Sequence, residues 1–117
     1  MNLSVSDLLV QSVDEVVADV LGSRVRKSFY DCLMRQRGLS REAVPGHIDD
    51  FQQFLEATFG GGSRTLTRCI AKRFFEKLGW AFVEMRQHDL VDYFSQAQRR
   101  VEKPRVPNEI LLMVPRS

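Results

Sequence analysis

The chain has 117 residues, of which 44% are hydrophobic and 27% are charged, and its formal net charge is +2. A single folded domain is the expected organisation at this length, and the apolar content excludes a chain that stays disordered. A charge of +2 is too small to indicate a nucleic-acid-binding protein, so only a local concentration of basic residues could do so.

The two cysteines, Cys32 and Cys69, are far apart in sequence and neither has a partner at zinc-ligand spacing. We therefore expect both to be small apolar core residues in a reducing compartment. The N-terminal residues lack the basic and apolar regions of a secretory signal, and no run approaches the ~20 apolar residues of a membrane span. These features favour a cytoplasmic protein with no membrane segment, no metal and no cofactor.

The first predicted helix runs from about Ser4 or Ser6 to Leu21, and Ser6 is able to cap it. Its apolar residues recur at three- and four-residue spacing, which predicts one buried stripe. The stripe consists of Leu9, Val13, Val16, Val17 and Val20. Gly22 follows the last apolar residue and predicts the end of the helix.

Ser23 is the predicted N-cap of a second helix, which continues to about Gln36. The residues of this helix that we expect to face the core are Val25, Phe29, Cys32 and Leu33. The segment 39–45 then predicts a single capped turn, because Pro45 cannot continue a helix.

A third helix is predicted from His47 or Ile48 to the three glycines at 60–62, and Ser63 is predicted to cap a fourth helix that ends near Leu78. The apolar face of the third helix contains Phe51, Phe54, Leu55 and Phe59. That of the fourth contains Leu66, Cys69, Ile70, Phe74 and Leu78.

Residues Trp80–Met85 fit either a short extended bridge or the lead into another helix. A fifth helix is predicted from about Asp89 to Glu102, and Pro104 stops it. Its apolar positions are Leu90, Val91, Phe94, Ala97 and Val101. The tail that follows contains the apolar run Ile110–Val114, which either docks in a groove of the domain or binds a partner.

Short connections between amphipathic helices favour antiparallel neighbours that share one core. The predicted fold is therefore all-α, a compact bundle of four to five helices with short loops and a proline-bounded C-terminal tail. The predicted domain covers residues 1–103, and the tail covers 104–117.

The strongest local charge signal lies on the fourth helix. Arg64, Arg68 and Lys72 are spaced four residues apart, so they share one face, and Arg73 and Lys77 widen it. Three interpretations remain open for this basic face. It is a solvated surface or one that forms salt bridges with the acidic first and third helices, it binds nucleic acid, or it binds an acidic protein partner.

Several aromatic residues fall away from the predicted apolar stripes. Phe75 lies off the stripe of the fourth helix, and Trp80, Phe82 and Tyr93 are further candidates for partial exposure. An exposed aromatic patch marks a protein interface, so Trp80 and Phe82 are a candidate anchor beside the basic face.

No catalytic constellation is evident. The glycines before Ser63 lack the lysine of a P-loop, and they indicate the end of one helix and the start of the next more strongly than an anion site. His47 and His88 are isolated, and no acidic residue falls on a predicted apolar face where burial would tune its pKa. We therefore predict that the chain is not an enzyme.

Four segments of the sequence form a recognisable pattern of helix caps, glycine stops and aliphatic stripes. They are SVDEVVADVLG at 12–22, GLSREAVP at 38–45, DDFQQFLEATFGGGS at 49–63 and FFEKLG at 74–79. Over about residues 12–80 the chain resembles the archaeal Nitrosopumilus-type output domain family. That resemblance implies a small helical module, often attached to signalling proteins, and it carries no catalytic residues. Because the chain contains no receiver or sensor domain and continues with 80–117, we expect a stand-alone adaptor or regulatory subunit.

The leading hypothesis is a non-enzymatic cytosolic interaction or signalling module that binds a protein partner through the basic face, with Trp80 and Phe82 nearby. The first alternative is a nucleic-acid-binding protein that uses the same helix. The second is a homo-oligomeric structural component, such as a homodimer, assembled through the fifth helix or the tail run Ile110–Val114.

Overall fold

The computed structural model describes residues 3–102, and every regular element in that range is helical, which confirms the predicted all-α bundle. The α-helices are α1 (Val5–Val16), α2 (Ser23–Arg37), α3 (Ile48–Phe59), α4 (Ser63–Leu78) and α5 (Leu90–Glu102). The predicted tail, including Ile110–Val114, lies outside the described residues.

Helix α1 begins two residues earlier than a Ser6 cap would require. The backbone N–H of Asp7 donates to the Ser4 hydroxyl at 3.1 Å, and the backbone N–H of Ser4 donates to the Asp7 carboxylate at 3.2 Å. This reciprocal pair is a capping box, which satisfies two donors at the helix start. Ser4 is therefore the cap.

The two other predicted serine caps are wrong. Gly22 and Gly62 occupy the N-cap positions of α2 and α4, and neither Ser23 nor Ser63 makes a capping hydrogen bond. A capping side chain needs extended backbone geometry, but Ser63 has helical dihedral angles because a 3₁₀ turn, Gly60–Gly62, leads directly into α4. The Ser63 side chain is instead buried.

The core lies where the apolar stripes of the five helices meet. Its largest fully buried side chains are Phe51, Phe54, Phe74, Leu9, Leu33, Leu55, Ile70 and Leu90. Most of the predicted inward residues contribute to it. Cys32 and Cys69 are free thiols that lie partly buried at its edge rather than inside it.

Three predicted core valines are exposed. Val20 is 48% exposed because it belongs to a π-helical turn, Val17–Leu21, whose wider spacing shifts it off the stripe of α1. Val25 and Val101 are each 43% exposed. Val25 is one turn before Phe29, the first buried residue of α2, and Val101 is one turn beyond Ala97, the last buried residue of α5. The stripes therefore extend further along the sequence than the core does.

Residues 80–89, here called the return segment, are non-helical and connect α4 to α5. Near the start of α4, the Arg64 guanidinium donates to the backbone carbonyl of Arg86 at 3.2 Å. Near its end, the Arg100 guanidinium of α5 lies 4.1 Å from the centre of the Trp80 ring. The return segment thus runs back along α4, and α5 then runs parallel to α4 rather than antiparallel.

None of the helices in the described part of the chain is long and apolar enough to cross a membrane.

Candidate functional site

The predicted basic face of α4 is divided in two by its contact with α1. The Arg73 guanidinium donates to Glu15 at 2.9 Å and to Asp19 at 2.8 Å, and the Lys77 ammonium donates to Glu15 at 2.9 Å. The Arg73 and Lys77 side chains are only 33% and 23% exposed. These two cations therefore tie α4 to α1, as the salt-bridge interpretation of this face expects.

The charge states of these groups agree with the geometry. Hydrogen bonds from Lys77 and Arg73 hold the pKa of the Glu15 carboxyl below its ordinary value. Hydrogen bonds to Asp19 and Glu15 raise the pKa of Arg73. The ion pairs are thus charged near neutral pH.

The other half of the face is directed to solvent. Arg64, Arg68 and Lys72 are exposed, and successive members are about 6 Å apart along the helix because four residues rise by that amount. Within residues 3–102 none of the three forms an ion pair. We call these three residues the open basic row.

The predicted aromatic anchor lies elsewhere. Trp80 is partly buried between the ring of Phe75 and the Arg100 guanidinium, and Phe82 packs edge-on against Phe75 with centroids 5.6 Å apart. Trp80 follows the C-terminal end of α4, roughly 20 Å along the helix from Arg64. The anchor and the N-terminal end of the open basic row are therefore not one surface.

Phe75 and Tyr93 are not exposed, contrary to prediction: they retain 4% and 3% of their accessible surface. Their ring centroids are 6.1 Å apart, and Phe75 is also contacted by Trp80 and Phe82. The return segment covers this side of α4, so an aromatic residue off the main stripe gains a second apolar environment. The exposed large apolar residues of the segment are instead Val83 and Met85, at 67% and 46%.

A cavity of about 250 Å³ lies beside the first two turns of α4, between α3, the return segment and the start of α5. Arg64 and Arg68 line it from α4, together with the buried Ser63. Arg86 and His88 line it from the return segment. Arg64 and Arg68, the two N-terminal members of the open basic row, therefore border a partly enclosed space.

Gln52 forms the inner wall of this cavity and is only 5% exposed. Its side-chain carbonyl accepts from the backbone N–H of Leu90 at 2.9 Å and from the Thr67 hydroxyl at 3.3 Å, and its amide donates to Glu56 at 3.1 Å. The sequence prediction missed this residue. A detectable signal was present, since position 52 completes the apolar stripe of Ile48, Phe51 and Leu55.

Some of the acidic groups at or beside the cavity accept hydrogen bonds from backbone N–H groups. Asp89 and Asp92 exchange backbone-to-carboxylate hydrogen bonds of 3.0 and 3.2 Å at the start of α5. Burial, together with the nearby Asp92 charge, raises the pKa of the Asp89 carboxyl. Glu84 also lines the cavity, from the exposed side of the return segment.

A second polar cluster, also missed, lies between α1, α2 and the 3₁₀ helix Arg41–His47. The Asp14 carboxylate accepts from the Tyr30 hydroxyl at 2.5 Å and from Arg41 Nε at 2.6 Å. Burial alone would raise the pKa of Asp14, but the hydrogen bonds from Arg41 and Tyr30 together outweigh it and the pKa is lowered. No acidic residue falls on a predicted apolar face where burial would tune its pKa; Asp14 lies off that face, yet it is partly buried and the hydrogen bonds of this cluster set its pKa.

Among residues 3–102, no three His, Cys, Asp or Glu side chains come together in a group that could hold a metal ion. Comparison of the chain with protein-family models, curated proteins and solved structures found no match. The resemblance of residues 12–80 to the archaeal Nitrosopumilus-type output domain family stays a prediction.

Proposed function

We propose that this chain is a non-enzymatic interaction module, in signalling or regulation, that binds an acidic protein partner through Arg64, Arg68 and Lys72. The observation that carries the proposal is the division of the basic face of α4. Arg73 and Lys77 form ion pairs with acidic residues of α1. The open basic row remains exposed and forms no ion pair within residues 3–102.

The row suits a protein partner because cations presented in register on a rigid helix attract acidic side chains and orient the encounter. Arg64 is already held by the Arg86 carbonyl, so less side-chain freedom is lost when it binds. The exposed Met85 of the return segment lines the same cavity as Arg64 and Arg68 and supplies apolar area next to the charges.

Nucleic acid is the less favoured ligand because the open basic row contains too few cations for an extended phosphate backbone. Proteins with strong salt-dependent binding to DNA neutralise roughly 6–10 phosphates. The open basic row supplies three cations, and the exposed acids Glu56, Glu76 and Glu84 lie on the same or adjoining elements. A row of three cations bordered by acids matches a short acidic epitope better than the long phosphate backbone of a nucleic acid.

The proposal is tested by charge reversal with a matched control. Arg68→Glu with Lys72→Glu reverses two exposed charges of the row, and Arg24→Glu with Arg26→Glu reverses two exposed charges on α2. Capture from a lysate of the native host, read by mass spectrometry, should lose a defined protein with the first variant and keep it with the second. Circular dichroism would establish that both variants retain their helices.

Two outcomes would contradict the proposal. If wild type and both variants capture the same proteins, the row binds none of them. If the captured material disappears on nuclease treatment and falls steeply with salt, the ligand is nucleic acid.

A further inference from the structure

Ser63, at the N-terminal end of α4, lines the cavity and has a buried hydroxyl without a hydrogen-bond partner in the described part of the chain. The side chain of Ser63 is only 4% exposed, it makes no capping hydrogen bond at the start of α4, and it takes part in none of the side-chain hydrogen bonds among residues 3–102. Buried polar groups in folded proteins are nearly always hydrogen-bonded, so an unpartnered hydroxyl beside an open space points to a ligand or ordered solvent there.

Three guanidinium groups border the same space, two from α4 and the third from Arg86 of the return segment. Arg64 and Arg68 are one helical turn apart and both line the cavity. Arg64 uses one nitrogen, Nη2, to donate to the Arg86 carbonyl at 3.2 Å, which orients the group and leaves its other N–H donors available. A guanidinium in such a position pairs with two oxygens of one anion.

Among residues 3–102, no acid of the cavity forms an ion pair with Arg64 or Arg68. The Glu56 carboxylate accepts from the Gln52 amide, and the Asp89 carboxylate accepts from the backbone N–H of Asp92. Both are thereby held by neighbouring protein groups, and Glu84 is exposed on the return segment. Arg64 and Arg68 therefore keep N–H donors that no carboxylate of residues 3–102 occupies within 4.0 Å.

We propose that this cavity binds a phosphate monoester group through the Ser63 hydroxyl and the guanidinium groups of Arg64 and Arg68. Three donor groups match the three terminal oxygens of a phosphate monoester better than the two of a carboxylate. A volume of about 250 Å³ is below the usual range for a drug-sized ligand and fits a single group or side chain.

The phosphate group has two sources, a small free ester or a phosphorylated side chain of the acidic partner. The second source rests on the proposed function, since it adds a phosphoryl group to the epitope that meets Arg64 and Arg68.

The test is a titration of the full chain with inorganic phosphate and with a short blocked peptide containing one phosphoserine, followed by amide NMR shifts. Saturable shifts are expected at Ser63, Arg64 and Thr67. Arg68→Gln should raise Kd at least about tenfold and Ser63→Ala roughly threefold to tenfold, because these are the ranges for losing a charged and a neutral hydrogen bond.

Lys72→Gln is the matched control. It removes the same charge from the next turn of the same face, but Lys72 does not line the cavity, so Kd should change less than about twofold. Shifts that do not saturate, or equal weakening by Lys72→Gln and Arg68→Gln, would overturn the proposal. Arg68 is exposed, so its variant tests the site even if Ser63→Ala perturbs folding.

Competition separates this inference from the proposed function. If phosphate binds but an excess of it leaves partner capture unchanged, the site takes a free ester and the phosphorylated side chain is excluded. If neither probe binds while the charge-reversed Arg68 and Lys72 variant loses the partner, the phosphate site is refuted and the proposed function stands.

Discussion

The side-chain carbonyl of Gln52 on α3 accepts a 2.9 Å hydrogen bond from the backbone N–H of Leu90, the first residue of α5. The first N–H groups of a helix have no partner within the helix. Gln52, a buried residue 38 positions earlier, supplies the acceptor for the Leu90 N–H. The same oxygen also accepts a hydrogen bond from the Thr67 hydroxyl of α4. Gln52 thus joins three helices at the inner wall of the cavity.

Replacing Gln52 with leucine should destabilise the protein by about 2–3 kcal/mol, because the Leu90 N–H and the Thr67 hydroxyl would be left buried without an acceptor. Urea unfolding followed by circular dichroism would measure the change. Gln53→Leu, at the neighbouring position, loses only a solvent-exposed hydrogen bond from Arg37 and should change stability by at most about 0.5 kcal/mol. If both variants lost a similar free energy of unfolding, the hydrogen bonds of Gln52 would not be what stabilises the contact of the three helices.

Phe75→Ala should cost about 3–5 kcal/mol, the usual range for removing a buried phenylalanine. Phe75 is enclosed by three aromatic rings of the return segment and α5, so its loss leaves a cavity that they cannot easily fill. Thermal or urea unfolding would measure it, and Val83→Ala, at a site 67% exposed, is the control. A loss under about 1 kcal/mol for Phe75→Ala would show that the return segment does not cover α4.

The ion pairs between α1 and α4 should contribute little stability despite their geometry. A double-mutant cycle of Glu15→Gln and Lys77→Gln should give a coupling free energy of about 0.5–1 kcal/mol, since Glu15 is 42% exposed and solvent screens the pair. The coupling should fall further at high salt. A salt-independent coupling well above 2 kcal/mol would mean that the pair is shielded from water.

Stability should decrease on acidification through the titration of Asp14. Its folded-state pKa is below its ordinary value of 3.8, so its contribution is complete above that value and is lost as the pH falls through the folded pKa. Urea midpoints measured from pH 6 down to pH 2 should show this loss. In Asp14→Asn the decrease should be shallower, and an unchanged slope would exclude Asp14 as its source.

Asp89 should act in the opposite direction. Because its folded-state pKa is raised, protonation is favoured in the folded state, and this group adds stability as the pH falls through its folded pKa. Asp89→Asn keeps an N-cap acceptor at this position and removes the charge beside Asp92. Its free energy of unfolding at pH 7 should therefore be at least that of the wild type, and a clear loss would contradict this reasoning.

Local sequence alone determined the five helices and most of their boundaries. The three- and four-residue spacing of Leu9, Val13 and Val16 is enough to define a buried stripe, and Gly22, Gly38 and Gly79 end helices with positive φ angles. The four-residue spacing of Arg64, Arg68 and Lys72 likewise places them on one face. These are properties of a single helix, so they can be inferred without knowing its neighbours.

Only the tertiary structure decided which of those residues are available to a ligand. Arg73 and Arg68 are both arginines on the basic face of α4. The packing of α1 places Glu15 and Asp19 against Arg73, whereas Arg68 stays exposed. Gln52, Ser63 and Phe75 are buried because the return segment folds back along α4 and α5 runs parallel to it. Burial and ion pairing depend on contacts between residues far apart in the chain, and helical periodicity contains no information about those contacts.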